Sequence, residues 1–363
     1  MSPGWAYRLE KGEIVAIDGC ISYNSGMTWD IYGHDWAVAL LKEHTRPEKL
    51  RHAYLLTGPQ GVGRRSLALA FIKALNCLQP VEQGVPCGVC NACQQIERQT
   101  FPDLAFLVPE DGHKDIRIEQ VRALLHTLVL APYQATYRVA LILDFQRITL
   151  GAANALLKTL EEPPPKAIMI LTADAQESLL PTIVSRCEVI RLRPMPVEAA
   201  QQVLIESKGL SLMDARLLAH ITSGRLGAAM RLYGDPQSLA ARGQVLKDLR
   251  DLLPASRRER FGYVEGQLRR NRGGRDDLFE IISIWLTFWR DVFICTAGAD
   301  MPLVNIDQEL LIRKVAQQVN LETAQNIMAS LEEGLKQLDM YINARLLAEN
   351  LLLMWPRLEI ADR

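Results

Sequence analysis

Three groups of residues have side-chain types and spacings that could do chemistry. The first is Gly58-Pro59-Gln60-Gly61-Val62-Gly63-Arg64-Arg65-Ser66. Glycines at Gly58, Gly61 and Gly63 let backbone N–H groups turn inward around phosphate, and a helix that starts at once adds positive potential. A working triphosphate loop follows its last glycine with Lys and then Ser or Thr. Here Arg64 and Arg65 occupy those positions, and Ser66 comes one residue late. Arginine keeps the charge, but its planar fork does not replace a compact ammonium, and Arg65 has no hydroxyl for Mg2+.

The second group closes the apolar run 139–143. Asp144 stands where a Mg2+-holding carboxylate belongs, and the next residue is Phe145, where a hydrolytic site of this kind carries a water-activating Glu. Together the two groups are expected to descend from a nucleotide site and to be disabled for hydrolysis. Whether ATP binds at all is left open by these residues.

The third group is Cys77, Cys87, Cys90 and Cys93, spaced C-x9-C-x2-C-x2-C and followed by no further cysteine until Cys187. Four thiolates complete a tetrahedral Zn2+ shell and leave no open position, which is the structural type of zinc site. Gly84, Pro86 and Gly88 supply the turns. Cys20, Cys187 and Cys295 are isolated and expected to be unliganded. The six histidines, His34, His44, His52, His113, His126 and His220, form no metal spacing, and no Ser-His-Asp or paired-carboxylate set stands out. Arg257, Arg258, Arg260, Arg269, Arg270, Arg272 and Arg275 form a basic run, expected to be a solvated helix face, with DNA contact as the alternative.

These groups need elements to position them. At 363 residues the chain is long enough for two or three domains. With 48% hydrophobic and 23% charged residues it is neither a disordered chain, a collagen nor a coiled-coil rod. Lys plus Arg is 41 against 42 for Asp plus Glu, so any nucleic-acid contact needs a local patch. The apolar run 281–289 is stopped by Arg290 and Asp291, well short of the roughly 20 residues of a membrane span, and predicts a buried helix. Arg8, Glu10, Lys11 and Glu13 stand where an export signal needs an apolar core, so a cytoplasmic protein with reduced thiols is expected.

Compact apolar runs at 53–56, 104–108, 139–143, 168–171 and 189–192 predict buried strands. Helical spacing at 36–41, 66–75, 118–125 and 152–160 alternates with them, and Pro163-Pro164-Pro165 stops the last of these helices. That alternation predicts an α/β domain with a parallel sheet covered on both faces. After Arg193-Pro194-Met195-Pro196 only helical patterns remain, with a break at Gly234-Asp235-Pro236. Residues 1–28 show little periodicity and are expected to be a flexible extension.

The stretch Ala153-Asn154-Ala155-Leu156-Leu157-Lys158-Thr159-Leu160-Glu161-Glu162-Pro163-Pro164, then Pro181-Thr182-Ile183-Val184-Ser185-Arg186-Cys187, resembles the delta-prime subunits of the bacterial DNA polymerase III clamp loader, within the AAA+ superfamily. The cysteine cluster after the loop helix and His52-Ala53-Tyr54-Leu55 before the loop fit the same family. The likeness is dense over residues 29–194, weak in the lid, and returns at Trp289-Arg290-Asp291 and Asn343-Ala344-Arg345-Leu346-Leu347-Ala348-Glu349. It implies an AAA+ P-loop-type domain with a four-cysteine zinc module at 29–194, a helical lid at 195–236 and an all-α oligomerisation collar at 237–363. It implies that Thr172 is a polar sensor at a strand end. In the lid segment Ser223-Gly224-Arg225-Leu226-Gly227-Ala228, Gly227 falls where ATPase members carry a phosphate-sensing Arg, with Arg225 as a shifted substitute. Arg186 would be an arginine finger, reaching across a subunit interface toward a neighbour's γ-phosphate.

The function so implied is that of a stator-like subunit of a DNA-directed DNA polymerase complex. Its expected partners are the loader's ATPase subunits, the delta subunit, the sliding clamp and, through the assembly, primed DNA, with no membrane. Two other readings stay open: an active loader ATPase with Arg64 in place of Lys, and a zinc-dependent nucleic-acid-binding module.

Overall fold

The structure, a computed structural model, describes residues 6–10, 13–17, 29–109, 115–270, 275–340 and 343–359. It divides into two compact units, Met1–Pro194 and Met195–Arg363. In the N-terminal stretch expected to be flexible, β1 (Ala6–Glu10) pairs antiparallel with β2 (Glu13–Ile17). The rest of that stretch lies outside the described residues. Cys20 lies outside the described residues.

The sheet of the first unit has five parallel strands in the order β4-β5-β6-β3-β7. They are β3 (Ala53–Thr57), β4 (Leu104–Leu107), β5 (Arg138–Ile142), β6 (Ala167–Ala173) and β7 (Glu188–Arg191). All five residues of β3 and all seven of β6 are buried, as central strands covered on both faces must be. Alternate residues feed two cores. Tyr54, Leu56, Val139, Leu141, Ile168 and Ile170 face α1 (Asp35–Glu43), α2 (Arg64–Asn76) and α3 (Asn91–Glu97). Ala53, Leu55, Ala140, Ile142, Met169 and Leu171 face α4 (Ile118–Val129), α5 (Leu150–Glu161) and α6 (Pro181–Val184).

β3 and β6 are neighbours, and the chain leaves β3 into α2 on one face of the sheet and leaves β6 into α6 on the other, which opens a crevice at their carboxyl ends. In open α/β sheets that crevice is where ligands bind.

The α-helices of the second unit, which has no strand among its described residues, are α7 (Val197–Lys208), α8 (Leu212–Ile221), α9 (Leu226–Tyr233), α10 (Pro236–Leu252), α11 (Arg257–Arg270), α12 (Arg275–Thr296), α13 (Glu309–Ala316), α14 (Leu321–Asp339) and α15 (Ala344–Leu353). Its core gathers residues from α10 through α15 around Trp285, Phe288, Trp289 and Trp355. The Trp285 and Trp289 rings stand edge-on to Trp355 at 5.0 and 5.6 Å between centroids. Among the described residues no helix is long and apolar enough to cross a membrane.

Both late stretches of likeness have structural jobs here. Asp291 is fully buried and accepts from the backbone N–H groups of Val304 and Asn305, pinning that loop to α12. Asn343 caps α15, its Oδ1 accepting from the N–H groups of Arg345 and Leu346.

The basic run is not one solvated face. Arg257 and Arg258 are exposed, but Arg260 is 3% exposed. Its five N–H groups donate to the carbonyls of Leu252, Leu253, Leu352, Trp355 and Pro356 at 2.7–3.1 Å. These carbonyls lie at and just beyond the C-terminal ends of α10 and α15, where helices leave acceptors unsatisfied and a cation is favoured. Arg272 and the side chains of Arg269, Arg270 and Arg275 lie outside the described residues.

Candidate functional site

The glycine loop leaves the carboxyl end of β3 and enters α2, as its sequence requires. Gly58 (φ 146°) and Gly63 (φ 113°) adopt left-handed backbone, and a Cβ on Gly58 would run into the Leu192 carbonyl. Only glycine meets both demands. Gly61 also has positive φ, 84°. Buried His34 holds the loop from outside, its Nε2 2.9 Å from the Val62 carbonyl.

Arg64, first residue of α2, has a side chain only 7% exposed, drawn into the crevice. Its Nη1 is 2.8 Å from Asp174 and its Nη2 3.3 Å from Asp144. Both acids are themselves held. The Asp144 N–H donates to Thr172 Oγ1 at 3.0 Å, and Gln146 Nε2 donates to Asp174 Oδ2 at 2.9 Å. Asp144 has left-handed backbone (φ 50°), which Asp tolerates better than most residues. The structure thus brings Gly58, Gly61, Gly63, Arg64, Asp144 and Thr172 together. Arg65 and Ser66 are exposed: one step along a helix turns a side chain by about 100°, so Ser66 does not occupy the missing hydroxyl's direction. Phe145 is 1% exposed and packed into the α4–α6 core, facing away from any catalytic use.

Arg186 follows α6. Its Nη1 donates to the Thr182 carbonyl at 2.8 Å, its Nη2 is 2.7 Å from Glu161, and its side chain keeps 34% of its exposure. None of these partners belongs to the glycine-loop site. Ser185 donates to the same Thr182 carbonyl at 3.2 Å, and Cys187 packs against the core below, where burial pushes its thiol up to about 12. Ser-Arg-Cys thus places a cap, a half-exposed guanidinium paired with Glu161 and a thiol packed on the core in succession.

In the second unit, Arg225 precedes α9 and donates its Nε to the Thr222 carbonyl at 2.8 Å, and Gly227 lies within that helix's first turn.

Cys77 ends α2, Cys90 caps α3 and Cys93 lies on its first turn, so two packed helices present three of the four sulfurs. The four sulfurs all lie within 4.8 Å of one another and could hold a metal ion. Cys77 Sγ is 3.5 Å from Cys87 Sγ and 3.9 Å from Cys90 Sγ. A tetrahedron of four sulfurs with Zn–S near 2.3 Å has edges of about 3.8 Å, so the donor set fits zinc. Burial works against the Cys90 thiolate, but N–H groups of Cys93 and Leu78 outweigh it and bring the thiol down to about 6. The module is seated by Trp29, whose Nε1 donates to the Gly84 carbonyl at 2.9 Å.

Two participants do not stand out as site residues in the sequence. Asp174 is an acid just past the end of β6, two residues beyond Thr172, and that placement is its available signal. Glu161 reads from sequence only as a helix end.

The sequence matches the family model described as "DNA polymerase III, delta subunit" over residues 33–196, and "DNA polymerase III, delta subunit, C terminal" over 269–357. DNA polymerase III subunit delta' of Bacillus subtilis (strain 168) is 30% identical over 317 residues, covering 87% of this chain and 94% of its own. Subunit delta' of Pseudomonas aeruginosa PAO1 is 37% identical over 230 residues, 62% of this chain and 67% of its own. Subunit tau of Escherichia coli (strain K12) is 35% identical over 178 residues, 48% of this chain and 27% of its own. With a relative matched over nearly its whole length and a sheet, glycine loop and cysteine cluster in the expected places, the chain belongs to the DNA polymerase III delta' family.

Proposed function

We propose that this chain is the stator-like subunit of a clamp loader, holding the assembly together while a neighbour turns over ATP. The observation that carries the reading is Arg64. The side chain at the phosphate-lysine position is neutralised by two carboxylates of its own chain, one of them the would-be Mg2+ ligand. A triphosphate arriving there meets an arginine already paired with Asp144 and Asp174, and Phe145, buried, stands where the water-activating base would be. The site therefore does not turn over ATP.

Arg186 is different. It remains accessible, and it would supply a guanidinium in trans to the γ-phosphate on an adjacent ATPase subunit, neutralising charge that spreads over the phosphoryl oxygens. The four cysteines would hold one structural Zn2+, which ties the segment between α2 and α3 together. The lid (195–236) and collar (237–363) would join the ATPase and delta subunits, and the assembly would act in the cytoplasm on the sliding clamp and primed DNA.

The test is reconstitution of the loader with this chain carrying Arg186→Ala, reading clamp-stimulated ATP turnover. A large loss with normal assembly is expected. Wild-type turnover would overturn the assignment.

A further inference from the structure

The two stretches of densest likeness, one ending in Glu161-Glu162-Pro163-Pro164 and one ending in Ser185-Arg186-Cys187, share the core under α5 and α6 and are joined at the surface by an ion pair. Glu161 Oε1 lies 2.7 Å from Arg186 Nη2. We propose that Glu161 is a positioning residue for the Arg186 guanidinium, setting the arginine before a neighbouring subunit's nucleotide arrives. The proposal rests on the role given to Arg186 above.

Glu161 is the last residue of α5, and Glu162 is its C-cap. A carboxylate is disfavoured at the negative end of a helix. The placement is therefore not explained by α5 itself. The guanidinium opposite pairs with it directly, in addition to the basic Lys158 in the same last turn of α5.

The geometry suits holding better than burying. Arg186 is gripped from two elements, the end of α5 through Glu161 and α6 through the Thr182 carbonyl. Both supports are stiff. Pro163, Pro164 and Pro165 follow Glu161, and Pro181 opens α6, so ring-fixed φ angles limit how each can move. Cys187 anchors the chain on the core side. A guanidinium has five N–H donors, and these two contacts use two, leaving the rest for phosphate oxygens.

The pair is also too exposed to be a source of stability: the side chains keep 34% and 52% of their exposure, and ion pairs of that kind contribute little to folding. Its effect is to reduce the rotamer freedom of a long side chain whose orientation matters at a transition state.

The experiment is a double-mutant cycle in the reconstituted complex, measuring kcat and KM for ATP with clamp and primed DNA present. Glu161→Ala should lower kcat roughly twofold to fivefold, the size of losing one partly exposed ion pair that preorganises a group, with KM, melting temperature and assembly unchanged. Glu161→Gln, which keeps an acceptor oxygen, should recover part of the loss. In an Arg186→Ala background Glu161→Ala should do nothing more, because the group it positions is gone. If Glu161→Ala behaves as wild type while Arg186→Ala is impaired, the positioning proposal fails and the function stands. If both are silent, the function itself fails. A rise in turnover for Glu161→Ala would mean that the carboxylate holds the arginine back, which also overturns the proposal.

Discussion

Arg64 and Asp174, one opening α2 and the other just past β6, hold each other at 2.8 Å in the crevice of the sheet. With Asp144 at 3.3 Å on the other amino group, the guanidinium bridges two acids as a divalent cation would. The crevice beside the glycine loop is filled from within.

The isolated chain should therefore show no ATP turnover, and Mg2+ with ATP should leave its melting temperature unchanged. Arg64→Ala should cost about 1–2 kcal/mol, since it leaves two half-exposed carboxylates facing each other without a counter-charge. That variant alone should gain a melting shift with Mg2+. Turnover by the wild-type chain, abolished by Asp144→Ala, would contradict this account.

Installing the missing base should not rescue hydrolysis. Phe145 is buried among apolar side chains, so Phe145→Glu would bury an unpaired carboxyl and cost about 3–5 kcal/mol. Urea unfolding measures that loss, and a stable variant with new ATPase activity would show the site to be intact.

Purified chain should contain about one zinc, as one closed four-thiolate site requires. Cys90→Ser should lose the metal and lower the melting temperature, because metal binding and the local fold are coupled. Normal stability without metal would show that the sulfurs lie together for another reason.

Arg186→Lys should rescue the assembled complex poorly, since an ammonium cannot present a planar fork to phosphate oxygens. Losing such a finger costs roughly 10³-fold at one site. The deficit of the whole loader should be smaller wherever other subunits supply their own. Arg64→Ala should matter far less to turnover, and the reverse ranking would mean that the chain is a working ATPase.

Arg260→Met should destabilise the helical unit by about 2–4 kcal/mol, because it strips a charged donor from carbonyls at two helix ends. Arg260→Lys, with three donors in place of five, should fall between. Chemical unfolding followed by tryptophan fluorescence reads both, and variants as stable as wild type would refute the buried clamp.

Residue type and short spacing determined a good deal of this protein. Glycines at 58, 61 and 63 announce a loop that must turn its N–H groups inward, and their positive φ angles are the cause of that choice. Uniformly apolar strands announce a sheet covered on both faces, and C-x9-C-x2-C-x2-C announces sulfurs that two adjoining helices can converge. Arg for Lys and Phe for Glu are likewise visible as letters.

Tertiary structure alone decided what those letters do. Arg64 meets Asp144 across 80 residues of chain, Arg186 meets Glu161 across 25, and Arg260 reaches the Trp355 carbonyl across 95. No local period relates such partners. The parallel register brings the carboxyl ends of β3, β5 and β6 to one edge, so an arginine that reads as a free cation is neutralised there by acids from two other strand ends. In the helical unit the packing of α11 against α15 and the end of α10 buries one arginine of a run that reads as a solvated face. Charge is written in the sequence, but whether a charge is spent on its own chain or left for a partner depends on which strand and helix ends the fold places beside it.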